Sequence, residues 1–257
     1  MSSSPVVVVH RDARLLADAA ASRFVTAVVD AQASRGTADI VLTGGTLGIA
    51  VLASVATSRI RDAVDWTRLT LWWGDERYLP SGHPDRNETQ ARAALLDLVP
   101  LDPERVHAVP GPDRSADVDD AARQYARTLA AQAGPGRARP GFDVLMLGVG
   151  PDAHVASLFP GHPAVHEQAR DVIGVRGSPK PPPERVSLTY PALCSARDVW
   201  FLVSGAEKAS AVALALSGAG PLQAPAAGVT GTRSTTWLLD RAAAAHAPSA
   251  YVRLGSP

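Results

Sequence analysis

Short apolar, often β-branched runs alternate with longer stretches whose apolar positions recur at helical spacing, from one end of the chain to the other. Val6-Val7-Val8-Val9 predicts a strand, and an amphipathic helix is expected over 12–34, stopped at Gly36. Asp39-Ile40-Val41-Leu42 predicts a second strand that enters Thr43-Gly44-Gly45-Thr46 and a helix reaching about residue 58. Leu69-Thr70-Leu71-Trp72-Trp73 predicts a third, buried on both faces and entering Gly74-Asp75-Glu76-Arg77. A helix over 87–98, N-capped by Asn87, and an Ala-rich helix over 116–133 are expected next. The glycines and prolines of 134–141 separate the latter from a fourth strand at 142–147. Further strands are predicted at 171–175, 186–189, 199–203 and around 236–239, with a helix over 207–216. Gly177-Ser178-Pro179-Lys180-Pro181-Pro182-Pro183 cannot form regular structure and reads as an exposed loop. Buried runs alternating with helices predict an α/β fold: a mostly parallel, helix-covered, Rossmann-like sheet in a single domain over 1–257, with its core at about 5–240.

Composition narrows the function classes. With 25 basic and 25 acidic side chains the chain has no net charge, so no global field draws it to nucleic acid or anionic lipid, and neither is expected as a partner. Its apolar runs are strand-length, short of the roughly 20 residues of a membrane span, and its first residues lack a secretory signal pattern. A soluble cytoplasmic protein, monomeric by default, is the expectation. The lone Cys194 excludes an internal disulfide and a cysteine cluster for zinc. Only two of the basic residues are lysines, Lys180 and Lys208. A codon bias toward arginine explains that scarcity, and it makes a lysine inside a motif stand out.

Four segments carry candidate chemistry. Gly148-Val149-Gly150-Pro151-Asp152-Ala153-His154 follows the fourth strand and places a carboxylate and an imidazole where α/β sheets build their sites. Histidine suits proton transfer near neutral pH; the plainer alternative is a turn histidine satisfied by backbone. Thr43-Gly44-Gly45-Thr46 lies between a strand and a helix, where backbone N–H groups attract anions, yet it has neither Walker A nor dinucleotide spacing. Gly74-Asp75-Glu76-Arg77 presents both signs of charge, with His83 either joining a site or lying on a loop. Lys208, in Gly205-Ala206-Glu207-Lys208-Ala209, opens a helix, where a cation is disfavoured unless an anion is near.

Together and in this order, these segments, with Arg185-Val186-Ser187-Leu188-Thr189 and the run ending Ala156-Ser157-Leu158-Phe159-Pro160-Gly161, resemble the 6-phosphogluconolactonase family. That family lies in the larger group that includes the glucosamine-6-phosphate deaminases. The resemblance spans roughly residues 5 to 240. It implies a parallel-sheet α/β fold, no metal or other cofactor, and hydrolysis of 6-phospho-D-glucono-1,5-lactone, a small sugar-phosphate ester, to 6-phosphogluconate in the oxidative pentose phosphate pathway. By the same resemblance His154 is the general base, helped by Asp152. Gly44, Gly45, Thr46, Asp75, Arg77, Arg185 and Lys208 are the residues implied to hold the phosphate or the lactone oxygens. For Asp152, capping a following helix is the structural alternative.

Three positions depart from the family pattern. Ala153 stands where glycine is usual, Thr46-Leu47-Gly48 stands where Ser-Thr-Pro is common, so that Leu47 lacks a hydroxyl, and Arg86 replaces a serine, placing a charge at the rim or in solvent. Two rival functions are a glucosamine-6-phosphate deaminase and a non-catalytic sugar-phosphate binder. Deaminases typically carry a glutamate where this chain has Phe159, and a binder is expected to have lost the base, whereas His154 is present.

Overall fold

A computed structural model describes residues 4–250 and 252–254. The chain starts with β1 (Val6–His10), α1 (Ala13–Arg35), β2 (Ala38–Leu42), α2 (Gly45–Thr57), β3 (Leu69–Trp73) and β4 (Asp75–Arg77). It continues through α3 (Asn87–Ala94), α4 (Val118–Ala131), β5 (Val144–Gly148), β6 (Val172–Val175) and β7 (Arg185–Leu188). The short α5 (Tyr190–Leu193), β8 (Asp198–Val203), α6 (Ala209–Leu216), β9 (Ser234–Asp240) and β10 (Val252–Leu254) complete it. Local chemistry sets the boundaries. Asp12 caps α1 by accepting from the Leu15 N–H, and Gly36 ends it at φ +81°, a left-handed angle that glycine adopts without strain.

Seven strands form one sheet in the order β10-β1-β9-β8-β5-β2-β3, all paired in parallel. The apolar runs are buried on both faces, as a helix-covered sheet requires; Trp72 and Trp73 are closed off from solvent, and the Tyr125 hydroxyl is bonded to both backbone groups of Trp73. After β2 the chain moves outward to β3, and after β5 it moves the other way, to β8. The crevice above β2 and β5 is therefore a switch point, where α/β sheets bind ligands.

The sequence pattern does not reveal that β6 and β7 leave this sheet. They join β4 in a separate antiparallel sheet of three strands, ordered β4-β7-β6 and packed against α4. Gly74 is the joint: its N–H continues the large sheet to the Leu42 carbonyl, while its carbonyl accepts from Leu188 in the small one. The strand β10 was not anticipated either. Among the described residues no helix is long and apolar enough to cross a membrane.

Candidate active site

A cavity of about 610 Å³ opens over the carboxyl ends of β2, β5 and β8 and the first residues of the small sheet. Gly44, Gly45, Thr46, Asp75, Arg77, His154, Arg185 and Lys208 all line it, and Asp152 stands behind His154. Residues as far apart in the sequence as Gly44 and Lys208 thus meet at one place. His83 does not take part; it lies on a loop, where its Nδ1 accepts from the Asp85 N–H.

The 150–154 turn is closed by two backbone hydrogen bonds, Gly150 N–H to His154 O and Ala153 N–H to Gly150 O, both 2.9 Å. A Cβ at residue 150 would collide with the His154 ring and the Asp152 carboxylate, so glycine is required there by contact. No helix follows the turn, which removes the capping alternative for Asp152. Its carboxylate instead lies 2.5 Å from Nδ1 of His154. Burial alone would raise the Asp152 carboxyl, but the hydrogen bond to His154 and the charges of His154 and Lys180 outweigh it and hold the group at about 2. An ionised Asp152 only accepts, so the imidazole carries its proton on Nδ1 and Nε2 is the basic atom. The buried Phe159 ring packs against the imidazole, centroids 4.6 Å apart.

Cations line the same cavity. The Arg185 guanidinium is buried and donates to the carbonyls of Lys180, Pro181 and Pro182, with Nη1 left 3.9 Å from Asp75. Arg185 therefore serves first as a clamp on the proline-rich loop and only through its remaining edge as a ligand group. That loop is irregular and mostly exposed, as its composition predicts, yet it reaches the cavity through Lys180 and Pro181 and delivers Lys180, whose Nζ is 3.5 Å from His154 Nδ1 and 3.8 Å from Asp152. Sequence reasoning assigned Lys180 no role. The available signal was its rarity: both lysines of the chain line this cavity. Burial, then the neighbouring Lys180 charge, hold the Lys208 ammonium below the usual lysine range. Lys208 sits in a 3-10 turn, Ala206–Lys208, that leads into α6.

Beneath these groups lies a polar scaffold. The buried Ser157 donates its hydroxyl to Asp75 at 2.7 Å, and its N–H donates to the Ser187 hydroxyl on the partner strand. Asp75 is thus tied to Ser157 and faces Arg185, an acceptor for a sugar hydroxyl rather than for phosphate. Asn87 is not the N-cap of α3; Arg86 occupies that position and makes no side-chain cap. The cap comes from Glu76, whose two carboxylate oxygens accept the N–H groups of Asn87 and Glu88 at 2.7 and 2.9 Å. Asn87 turns its amide inward, donates to the Asp75 carbonyl and packs so closely on Gly44 that a Cβ there would strike it. Arg86 is neither at the rim nor in solvent: it is 1% exposed, donates to the Leu79 and Val109 carbonyls, and balances Glu76 and Glu88. The glycine usual at position 153 proves to have a reason, because Ala153 adopts φ +63°. Among the described residues no group of three or more His, Cys, Asp or Glu side chains is arranged to hold a metal ion.

Known proteins resemble this chain in sequence and in fold. A family model described as glucosamine-6-phosphate isomerases/6-phosphogluconolactonase matches residues 11–237. A Streptomyces coelicolor protein named 6-phosphogluconolactonase is 61% identical over 252 residues, covering 96% of this chain and 97% of its own length. A Mycobacterium tuberculosis protein of the same name is 49% identical, with 97% and 100% covered. The solved structure of 6-phosphogluconolactonase from Trypanosoma brucei superposes with a TM-score of 0.81 at 28% identity, covering 95% of this chain and 99% of that one. By the extent of the match and the identity to its relatives, the chain belongs to the glucosamine-6-phosphate isomerase/6-phosphogluconolactonase family.

Proposed function

We propose that this chain is a 6-phosphogluconolactonase, which hydrolyses 6-phospho-D-glucono-1,5-lactone to 6-phospho-D-gluconate with His154 as general base. Relatives carrying that name at up to 61% identity over nearly the full chain support the activity. The observation that carries the mechanism is the Asp152–His154 contact of 2.5 Å at the wall of a cavity also lined by both lysines. A δ-lactone is an activated ester, so no covalent nucleophile is needed. Water held at Nε2 gives that atom a proton as its oxygen bonds to C1, and the carbonyl electrons move onto the carbonyl oxygen. Collapse of this intermediate breaks the bond from C1 to the ring oxygen, which takes the proton back from the imidazolium; the carboxylic acid then ionises. Such acid–base assistance is typically worth about 10²–10⁴-fold, sufficient for this electrophile.

Asp152 fixes the tautomer and balances the imidazolium, and Phe159 holds the ring plane. Lys208, with the N–H groups at the start of α2, anchors the phosphate and so sets where C1 lies. Arg77 faces the lactone oxygens, while Asp75 takes a sugar hydroxyl. The deaminase reading loses its acid–base partner, since the apolar Phe159 occupies the place beside His154 where that branch carries a glutamate.

Purified protein should release acid from freshly generated 6-phosphogluconolactone far faster than the lactone hydrolyses alone, and release no ammonia from glucosamine 6-phosphate. A rate equal to the spontaneous one contradicts the activity, and ammonia release would establish the deaminase.

A further inference from the structure

We infer that Lys180 is a catalytic cation for the lactone end of the substrate, which stabilises the negative charge that appears on the C1 oxygens. The inference rests on the reading of His154 as base, and it gives the proline-rich loop beside the cavity a chemical purpose.

Placement is the first argument. Lys180 Nζ lies 3.5 Å from His154 Nδ1 and 3.8 Å from Asp152 Oδ1, at the same end of the cavity as the base. Its backbone is pinned on both sides: the Ser178 hydroxyl donates to the Lys180 carbonyl and accepts from its N–H, and Arg185 donates to that carbonyl and the next. The side chain beyond this fixed point is 40% exposed. Such a residue has a fixed root and a movable tip. The two arginines lining this cavity are more committed: Arg185 donates to three loop carbonyls and Arg77 to the Asp85 carbonyl. Lys208 enters from the β8–α6 connection, near enough to feel the charges of Lys180 and Asp152.

Charge flow is the second argument. In the resting site the Nδ1–H group donates its hydrogen bond to the ionised Asp152, so the ammonium beside it has the carboxylate as its partner and no lone pair on that nitrogen to bind. When water passes a proton to Nε2, the imidazole becomes cationic next to Lys180 while the C1 oxygen becomes anionic. Repulsion on one side and attraction on the other then drive the ammonium toward C1. The product keeps a carboxylate at that carbon, so the contact persists until release. No proton leaves Lys180 in this sequence, and the bonds made and broken are those of lactone hydrolysis alone.

The test separates the two ends of the substrate. In Lys180→Ala, kcat should fall about a hundredfold, the order seen when one oxyanion donor is removed. Inhibition by 6-phosphogluconate, which carries both anions, should weaken about tenfold, while inhibition by inorganic phosphate stays unchanged. Lys208→Ala should weaken both inhibitors and mainly raise KM. Lys180→Arg keeps the charge and should recover much of kcat, which a purely structural loss would not allow; thermal melts confirm that each variant folds. Weakened phosphate inhibition in Lys180→Ala with kcat retained would make Lys180 a phosphate ligand and overturn the inference. Unchanged kcat and inhibition would overturn it as well. If the wild-type protein turned over no lactone, the proposed activity itself would fail, and calorimetric binding of the two anions would still locate Lys180.

Discussion

Ala153 holds a backbone angle, φ +63°, that a residue with a Cβ adopts only at a cost of about 1–2 kcal/mol. The turn enforces it, because the Ala153 N–H is bonded to Gly150 and its carbonyl to the Ala226 N–H. Replacing it with glycine removes the strain but also a fully buried methyl, worth about 0.8 kcal/mol. Ala153→Gly should therefore stabilise the protein by about 0.5–1 kcal/mol in denaturant unfolding. A loss of stability would show that the turn is unstrained. At this scale much of the site is legible from the sequence: His154, Asp152 and the two glycines of the 43–46 turn follow strand ends, where chemistry is expected. Lys180 is not legible, because four prolines around it speak only of an irregular loop, and nothing in that composition shows that Arg185, at the start of the following strand, pins the loop carbonyls beside the cavity. Arg86 shows the same limit: its guanidinium is buried because Glu76 and Glu88 and two carbonyls receive it, none of which its own neighbours in sequence predict as a cluster.

Among the elements, α3 shows how a helix start can depend on a distant strand. Glu76 caps it from β4 and is itself almost fully buried, with burial pushing its carboxyl up to about 7 against the pull of Arg86 and the backbone N–H groups of Glu88, Asn87 and Arg77. Because α3 presents Asn87 to the glycine turn, this cap also sets one wall of the cavity. Glu76→Ala leaves the N–H groups of Asn87 and Glu88 without their acceptor and Arg86 with only one of its two carboxylates, and should cost about 3–5 kcal/mol of stability by denaturant unfolding. A change below about 1 kcal/mol would mean that solvent or another side chain replaces the cap. The helices and strands themselves were readable from periodicity, since caps such as Asp12 and stops such as Gly36 lie next to the elements they bound. Sheet membership was not readable. The β6 and β7 runs look like any other buried strand, and only the joint at Gly74 separates the two sheets.

For the whole molecule, strand order decides function more than any motif does. Chain connections leave β2 and β5 in opposite directions, and the crevice this creates receives the glycine turn, the His154 turn and the small sheet with Asp75 and Arg185. The parallel, helix-covered class follows from the alternation of buried runs with helices, whereas the order of strands depends on long-range pairings that periodicity does not encode. Electrostatics follow from the same assembly: a chain without net charge concentrates Arg77, Lys180, Arg185 and Lys208 around one cavity, together with the His154 imidazole. The proposed hydrolysis turns on the His154 imidazole. Steady-state turnover of 6-phosphogluconolactone by His154→Ala, beside the wild-type protein, tests it most directly. The predicted result is a fall in kcat of about 10²–10⁴-fold with KM little altered; a variant that keeps wild-type kcat would contradict it.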